Sequence, residues 1–436
     1  MKELLEKALQ KCDEAEVYIV NSKTMPLTVF NDGVIEVLER DLIEVSLRVI
    51  KDGKLGVSVG SVSNGFDKII NDALTAAQFG VPVDYSFPKP IPYENRKIYD
   101  TELVSMTPDS FADVAMGIFS SMKKKAPDIT INVYLDKQIK NIRIINSSGL
   151  DQSYDVTQYT AAILSKFYRS KDGINKEICM TKFFDFPEEK IDELISEFRS
   201  TETPCKVPTK SMPVIFKPSA TWSILYRIMV GSNGENYVKK ITPLTDKIGE
   251  QIFSDKITVV DDPTLDYGAF SVPYDDEGIP TSKKYIVEKG IFKNFLFDLS
   301  SGAESGKGSS GNGLRVGMWN RGIDIPANPR PTNLVLQPGD MKYEDMVKDI
   351  KEGILIIDVI GFHSGNMLDG EYSMNVGVGC YIKDGKIKGR AVDTMIAGNI
   401  YEDFYNVKGL EDKIEYNNLG YSPAMYFSDI SVSGTG

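Results

Sequence analysis

The spacing of apolar residues predicts two short amphipathic helices near the start of the chain, with strands between them. Apolar positions recur at helical intervals over residues 2–13 and again over residues 64–79, where Ser63 is the predicted N-cap. Glycine accepts the positive φ of tight hairpin turns, so Asp32-Gly33 and Asp52-Gly53 are predicted turns. Alternating apolar and polar residues predict strands over Glu16–Asn21, Pro26–Asn31, Gly33–Arg40, Leu42–Lys51 and Leu55–Ser61.

A second unit of helices and strands follows a proline-rich linker at residues 81–98, where proline disfavours both helix and sheet. Thr107-Pro108 predicts the start of a helix that runs to about Lys125, because threonine caps helices and proline suits the first helical position. Residues 129–185 are predicted to be rich in strands. Turns are predicted within this stretch at Ser148-Gly149 and Asp172-Gly173. A closing helix is predicted after it, at Pro187–Arg199.

Residues 214–436 are predicted to consist mainly of strands and turns, with helices only near Ala220–Val230 and Tyr343–Glu352. Prolines over residues 201–213 mark the boundary before this region. The predicted fold class is therefore α+β. Helix-and-sheet N-terminal portions at residues 1–98 and 99–213 are followed by a mainly β C-terminal domain at residues 214–436.

Composition and charge narrow the class of protein. With 436 residues, 42% of them hydrophobic, the chain can bury cores in two or three domains. A formal net charge of −12 opposes binding to nucleic acid, since that binding depends on lysine and arginine neutralising phosphates. The four cysteines are far apart, and no signal peptide or membrane-spanning run is recognisable. A cytoplasmic protein with free thiols is expected.

The chain has two acidic turns, named the acidic corners, which are candidates for a functional site. They are Asp261-Asp262-Pro263-Thr264 and Asp275-Asp276-Glu277-Gly278. Their carboxylates could hold a hard cation through oxygen ligands, although the spacing does not match an EF-hand loop. Aspartate side chains also accept hydrogen bonds from nearby backbone N–H groups in turns. Turn chemistry is the favoured interpretation, and a metal site stays open at this point.

Two further segments invite a functional interpretation. Ser300–Gly313 is rich in glycine and serine, but Ser301 and Gly308 stand where a phosphate-binding loop needs glycine and Ser/Thr, so a mobile loop is predicted. His363 is the single histidine and the one candidate for a histidine-dependent catalytic apparatus, although a structural or solvated role is favoured. One histidine cannot supply the usual donor set of a catalytic zinc site.

Several ordered motifs resemble those of the TldD/PmbA family, whose members are labelled modulators of DNA gyrase and are regarded as metallopeptidase-related. The resemblance covers most of the chain and is strongest from Val214 onward. It implies a peptide-binding or structural family motif formed by Asp261, Asp262, Asp275, Asp276, Glu277, Gly278, Asn312 and Asn333. The matching segments are Asp261–Thr264, Asp275–Thr281, the hairpin Val287–Phe292, Gly311-Asn312-Gly313, Pro329–Asn333, Gly370-Glu371-Tyr372-Ser373 and Ile396-Ala397-Gly398-Asn399.

The family has two branches, and the chain resembles the branch without a metal site. The TldD branch carries H-E-x-x-x-H on a helix and a cysteine near the C-terminus as metal ligands. The equivalent helix here, residues 221–231, has no histidine, and residues 421–436 have no cysteine. Resemblance to the PmbA (TldE) branch therefore implies no cofactor in this chain, with zinc only in a TldD-type partner.

The implied function is that of the non-metal-binding subunit of a cytoplasmic metallopeptidase complex that degrades or trims peptides. Its implied partners are a TldD-type subunit or a second copy of this chain, together with unfolded or extended peptides. Direct contact with nucleic acid or a membrane is not expected. Two alternatives stay open: a self-sufficient hydrolase that uses the acidic corners and His363, and a protein-binding modulator of DNA gyrase.

Overall fold

The computed structural model describes residues 1–61, 65–167, 173–318 and 320–436. The predicted cap Ser63 and the predicted turn residue Asp172 lie outside these residues. The predicted α+β class is confirmed, with helices and a long-stranded sheet in the N-terminal half and a strand-rich C-terminal half. Within the described residues, no helix combines the length and the apolar character needed to cross a lipid bilayer.

The described helices include all six that the sequence predicts, together with four short helices that it does not predict. They are α1 (Lys2–Leu9), α2 (Phe66–Gln78), α3 (Thr101–Ser105), α4 (Pro108–Lys125), α5 (Glu188–Ser200), α6 (Pro218–Gly231), α7 (Gly234–Val238), α8 (Leu299–Glu304), α9 (Tyr343–Asp349) and α10 (Ile400–Asp403). Thr107 caps α4 as predicted, in a capping box with Ser110.

The strands are long in the N-terminal half and shorter in much of the C-terminal half. They are β1 (Glu14–Val29), β2 (Ile35–Val37), β3 (Arg40–Lys51), β4 (Lys54–Ser61), β5 (Thr130–Asn146), β6 (Asp151–Lys166), β7 (Asn175–Met180), β8 (Pro204–Lys206), β9 (Lys210–Phe216), β10 (Val259–Asp261), β11 (Lys284–Glu288), β12 (Ile291–Phe292), β13 (Gly313–Leu314), β14 (Asn328–Pro329), β15 (Leu334–Leu336), β16 (Glu352–Ile360), β17 (Glu371–Lys383), β18 (Lys386–Val392), β19 (Met395–Asn399), β20 (Val407–Leu410), β21 (Glu415–Asn417), β22 (Gly420–Ser422) and β23 (Met425–Ser433).

Strands from both N-terminal segments form one antiparallel sheet with the order β4-β3-β1-β5-β6-β7. β1 pairs along its length with β5, so residues on either side of the proline-rich linker belong to the same sheet. The boundary predicted at residue 98 therefore separates two stretches of sequence and not two sheets. Helices α1 and α2 cover part of one face, where Leu4, Ile70 and Ala73 pack against Val17 and Val45.

Pro26 lies inside β1, which is one strand where the sequence predicts two strands with a break over residues 22–25. Proline cannot donate to a neighbouring strand, which normally excludes it from the middle of a sheet. Here Thr24 pairs with Arg40 of β3 and Leu27 pairs with Val37 of β2, so Pro26 lies where one partner strand gives way to the next. Its carbonyl oxygen accepts a hydrogen bond from the Leu38 N–H at 3.1 Å.

The C-terminal half contains a sheet that curls back on itself. Its order is β16-β9-β23-β19-β17-β18-β8, and β16 also pairs with β17. A second sheet has the order β12-β11-β10-β15-β22-β21. Helix α6 packs against this region, with Ile224 and Ile228 in the same apolar core as Val214 and Ile356. β8 and β9 place the start of this domain before the predicted boundary at residue 214.

The prediction of a mobile loop over Ser300–Gly313 is wrong for much of that stretch. Asp298 caps the short helix α8, accepting a hydrogen bond from the Ser301 N–H at 2.8 Å. Gly302 approaches the backbone of Gly308 so closely that an added Cβ would lie 2.4 Å from its carbonyl carbon. Asn312 is fully buried. Glycine and serine serve close packing and capping here.

Candidate functional site

The first acidic corner joins three distant segments through Asp261, which is fully buried. Its Oδ1 accepts hydrogen bonds from the Thr332 N–H at 2.7 Å and the Thr332 hydroxyl at 2.6 Å. Its Oδ2 accepts from the Asn312 side-chain amide at 2.7 Å. The same amide donates to the Arg330 carbonyl at 2.8 Å. Asp261 and Asn312 thereby hold the segment 330–332 against β10.

Asp262 and Asn333 form a second set of contacts beside the first. Asp262 Oδ1 accepts from the Thr264 N–H at 3.0 Å, which is the hydrogen bond of an aspartate turn. The Asn333 side chain donates to the Asp262 carbonyl at 2.8 Å and accepts from the Phe270 N–H at 3.0 Å. Asn333 thus fixes the position of Phe270.

The second acidic corner is a tight turn around Asp275. Its two carboxylate oxygens accept hydrogen bonds from the N–H groups of Glu277, Ile279 and Gly313, at 3.0, 2.9 and 2.8 Å. Gly278 has a φ of +84°, and a Cβ there would lie 2.7 Å from the Leu150 side chain. Glycine is therefore required at this position for both its backbone conformation and its packing.

Asp276 and Glu277 connect this turn to the N-terminal sheet. The Tyr18 hydroxyl donates to Asp276 at 2.8 Å. Arg48 Nη1 donates to Glu277 at 2.7 Å, and Arg48 Nε donates to Glu16 at 2.9 Å. Burial acts to lower the pKa of Arg48, but Glu16 and Glu277 outweigh burial and raise it well above its ordinary value. The ion pairs are buried within the structure.

Glu277 also contacts helix α8. Its second carboxylate oxygen accepts from the Leu299 N–H at 2.7 Å, next to the cap residue Asp298. Burial raises the pKa of Asp298 to about 6, and the nearby charge of Glu277 adds to that shift. Every carboxylate of the two corners therefore has hydrogen-bond donors from the protein itself.

The segments that the corners hold in place border two cavities. The first, named the sheet pocket, has a volume of about 210 Å³ and lies between the N-terminal sheet and residues 269–272, 276, 314–315 and 321–323. The second, named the α6 cleft, has a volume of about 430 Å³ and lies along α6. Phe270 and Arg321 line both. The corners thus act on these cavities by positioning their walls.

Helix α6 presents Trp222, Tyr226 and Met229 to the α6 cleft, at the spacing of one helix face. Phe362, in the turn that follows β16, also lines the cleft. Its ring centroid lies 4.6 Å from that of Trp222 and 5.4 Å from that of Tyr226. The Arg330 guanidinium donates to the Tyr226 hydroxyl at 3.3 Å. The cleft is therefore mainly aromatic and apolar, with the cationic groups of Arg321 and Arg330 at its wall.

Arg227 lies on the buried side of α6 and is fully shielded from solvent. Its guanidinium donates to the carbonyl oxygens of Phe362 at 2.7 Å, Ser364 at 3.0 Å and Glu371 at 2.8 Å. Burial lowers the pKa of Arg227 to about 10. This side chain ties α6 to the turn that carries Phe362.

His363 follows Phe362 in that turn and is exposed, with its ring edge-on to Phe362 at 5.6 Å between centroids. It is not among the side chains that line the α6 cleft or the sheet pocket. The contacts of the acidic corners described above do not include it either. The geometry therefore does not assemble His363 and the corners into one hydrolytic site.

The side chains around the α6 cleft do not suit zinc. Among the described residues, those lining the cleft include no histidine, cysteine, aspartate or glutamate, which are the usual zinc ligands. Across residues 1–61, 65–167, 173–318 and 320–436, no cluster of three or more such side chains could hold a metal ion. A cationic Arg227 on α6 further opposes a divalent ion there.

Several residues of this region escape sequence reasoning. Arg48 and Glu16 lie in ordinary strands and carry no motif, and their partner Glu277 is far along the chain. Arg227 donates to carbonyl oxygens of a remote turn, and Arg315 donates to the carbonyl oxygens of Ile323 and Ile325 further along its own loop. The one available signal is a charged residue inside an apolar pattern, as at Arg227 within the apolar helix α6.

Comparison with known proteins places these features in a family context. Residues 209–434 match the family model of the PmbA/TldA metallopeptidase C-terminal domain, and residues 15–77 match that of PmbA/TldA metallopeptidase domain 1. An uncharacterised protein of Methanocaldococcus jannaschii is 29% identical over 394 residues, which is 88% of each chain.

Two solved structures share the fold. TldE from Thermococcus kodakarensis is 24% identical, with a TM-score of 0.88 over 100% of both chains. A Thermotoga maritima protein described as a candidate modulator of a DNA gyrase is 22% identical, with a TM-score of 0.84 over 99% of this chain and 100% of that one. At these identities the similarity concerns the fold of the whole chain.

Proposed function

This chain belongs to the PmbA/TldD family of metallopeptidase-related proteins, and we propose that it is the non-metal-binding subunit of a peptidase complex. In this proposal a TldD-type subunit supplies the zinc site, and this chain supplies a cleft for an extended peptide. The similarity in fold to TldE from Thermococcus kodakarensis supports the assignment to this branch.

The observation that carries the proposal is the surface of α6. On the resemblance to the TldD branch, this helix is the one that would carry metal ligands and a general base. Here Trp222, Tyr226 and Met229 line the cleft instead, and Arg227 is engaged with backbone carbonyl oxygens. Among the described residues, the lining of this aromatic cleft has no histidine, cysteine, aspartate or glutamate, which suits it to holding a substrate and not to cleaving it.

The chemistry of the cleft favours peptides that are unfolded and carry apolar side chains. Burial of apolar side chains against the rings of Trp222 and Phe362 favours binding. The Arg330 guanidinium can also donate a hydrogen bond to a peptide carbonyl oxygen. A folded domain could not enter a cavity of about 430 Å³. The proposed substrates are therefore extended segments.

The central experiment measures metal content, assembly and cleavage for the full chain alone and after mixing with a TldD-type protein. Alone, the chain is expected to hold well below one zinc per chain and to leave a fluorogenic peptide intact. The mixture is expected to form a complex with about one zinc per TldD-type subunit and to cleave the peptide. Mass photometry and elemental analysis give the readouts.

Cleft variants test the role of α6 within that complex. Trp222→Ala is expected to raise KM for an apolar peptide about tenfold, because one aromatic contact of about 1.4 kcal/mol is lost. Phe79→Ala serves as the matched control, since Phe79 is 85% exposed and lies at the end of α2. Its KM is expected to match that of the wild type.

The proposal fails if the isolated chain takes up about one zinc on reconstitution and shows peptidase activity that a chelator abolishes. It also fails if the chain binds no TldD-type protein and instead captures DNA gyrase subunits from a defined mixture. A homodimer of this chain without cleavage is consistent with the proposal, since a second copy can occupy the same interface in the absence of the catalytic subunit.

A further inference from the structure

The sheet pocket adjoins the α6 cleft, with which it shares Phe270 and Arg321, and the function proposed above assigns it no role. One wall consists of alternate residues on the same face of the N-terminal sheet, including Tyr18, Lys140 and Tyr154. The opposite wall consists of residues 269–272, 314–315 and 321–323 of the C-terminal half, including Arg315. Its volume of about 210 Å³ suits a small organic group.

Arg315 is a buried cation with unused hydrogen-bonding capacity. Its side chain is 4% exposed, and Nη1 donates to the carbonyl oxygens of Ile323 and Ile325 at 3.1 and 3.3 Å. Nε and Nη2 are buried and have no hydrogen-bond partner among the described residues. A buried donor without a partner is costly, so a ligand that supplies an acceptor gains correspondingly.

The unused nitrogens of Arg315 form one edge of the guanidinium. In proteins, this edge of a guanidinium commonly binds a carboxylate through two parallel hydrogen bonds. Arg143 of the same protein shows the arrangement, with its Nε and Nη2 donating to the two carboxylate oxygens of Asp151 at 2.9 Å each. Arg315 has the same edge available and no carboxylate on it.

Lys140 adds a second cation to the sheet pocket. Within the described residues it forms no hydrogen bond or ion pair. Burial lowers its pKa, and the nearby Arg321 lowers it further. Arg321 itself is exposed at the rim, with its guanidinium 4.9 Å from the Phe270 ring centroid. An anion in the pocket would relieve the repulsion between these cations.

The two carboxylates of the pocket offset the charge of its three cations only in part. Asp276 accepts hydrogen bonds from the Tyr18 hydroxyl at 2.8 Å and from the backbone N–H of Arg315 at 2.7 Å, so both of its carboxylate oxygens already have donors. Glu44 is the other carboxylate on the lining, against the cations Lys140, Arg315 and Arg321. The remaining walls are mainly aromatic or apolar, which suits a carboxylate that carries an apolar body.

We propose that the sheet pocket is a binding site for a small carboxylate, with Lys140 and Arg315 as its cationic contacts. Two sources supply this chemistry: the C-terminal residue of a peptide and a free organic acid. The pocket shares Phe270 and Arg321 with the α6 cleft, so a peptide in the cleft can reach it. The side chains proposed to bind the carboxylate both belong to this chain.

Calorimetry on the full chain tests the proposal with four probes. These are the tripeptide Ala-Ala-Phe, its C-terminal amide, phenylacetate and inorganic phosphate. The tripeptide or phenylacetate is expected to bind, and the amide is expected to bind at least about tenfold more weakly than the free tripeptide. Tighter binding of the tripeptide identifies a peptide terminus as the ligand, whereas tighter binding of phenylacetate identifies a free acid.

Variants of Lys140 assign the binding to this pocket. Lys140→Met is expected to weaken carboxylate binding about tenfold, and Lys140→Arg is expected to restore most of it because the charge is kept. Lys97→Met is the control, since Lys97 is exposed and pairs with Asp266 outside the pocket. A second measurement needs no variant: bound carboxylate is expected to protect Lys140 of the wild type from acylation, read by mass spectrometry.

Three outcomes overturn the inference. The first is the absence of binding by both carboxylates. The second is carboxylate binding that neither weakens in Lys140→Met nor protects Lys140 from acylation. The third is binding of phosphate without binding of either carboxylate. None of these results bears on metal content or on assembly with a TldD-type subunit, so this inference and the proposed function can fail separately.

Discussion

The guanidinium of Arg48 lies 2.7 Å from the carboxylate of Glu277, although 229 residues separate them in the chain. The same guanidinium holds Glu16 on the neighbouring strand β1. This buried contact joins the N-terminal sheet to the acidic turn whose other residues shape the sheet pocket. One arginine therefore determines how two parts of the chain meet.

Replacement of this arginine by a neutral residue is expected to be strongly destabilising. In Arg48→Met, Glu16 and Glu277 remain buried without their cation, which costs about 3–5 kcal/mol of the free energy of unfolding. Chemical denaturation gives the measurement. Arg143→Met is the control, because its pair with Asp151 is partly exposed and contributes about 1 kcal/mol or less. Equal effects of the two substitutions would contradict a special role for Arg48.

Arg227→Met is expected to loosen the turn that closes the α6 cleft. The carbonyl oxygens of Phe362, Ser364 and Glu371 lose a shared donor, so stability is expected to fall by about 3 kcal/mol. Hydrogen exchange is expected to quicken mainly over residues 361–372. In Arg199→Met, an exposed pair with Asp128 is lost, and exchange in that turn is expected to stay unchanged. Equally faster hydrogen exchange across the whole chain would contradict a local role of Arg227 in this turn.

Asp298→Asn is expected to change how stability depends on pH. The folded-state pKa of Asp298, about 6, is above its ordinary value of 3.8, so the protonated form stabilises the fold below pH 4. That contribution is lost as pH rises through 6. The variant does not titrate and can still cap α8 through its amide oxygen. Relative to wild type, it is expected to gain about 1.5 kcal/mol between pH 5 and 8. A constant difference across that range would refute the shift.

The capping box of α4 offers a smaller, local test. Thr107→Ala removes the acceptor of the Ser110 N–H and is expected to cost about 1 kcal/mol of stability. Thr107→Ser keeps the hydroxyl and is expected to stay within a few tenths of a kcal/mol of wild type. Thermal unfolding distinguishes the two, and equal melting temperatures would exclude the cap as a source of stability.

Local signals in the sequence predicted local structure well. Thr107-Pro108 marked the start of α4, and Asp52-Gly53 marked a hairpin whose residues have φ values of 51° and 71°. These features depend on neighbours in the sequence. The break predicted between Asn21 and Pro26 is wrong, because pairing with β3, β2 and β5 continues β1 through these residues.

Contacts between remote segments were beyond sequence reasoning. Nothing near Arg48 indicates a carboxylate more than two hundred residues away, and nothing near Arg227 indicates the carbonyl oxygens that it binds. The acidic corners could be located from their motif. Their effect on the two cavities could not, because it acts through Asn312 and Asn333, whose partners lie in other segments.

The pairing of β9 with β23 has a consequence for the order in which the protein folds. Val214 lies beside Phe427, and β9 also lies beside β16. During synthesis β9 leaves the ribosome long before β16 or β23 has been made. Both edges of β9 therefore stay unpaired until those strands are available. Strand pairing over such separations is slow and leaves apolar edges open to wrong partners. The C-terminal domain therefore completes its core only once β23 is available for pairing, and chaperone capture of this chain should last until then.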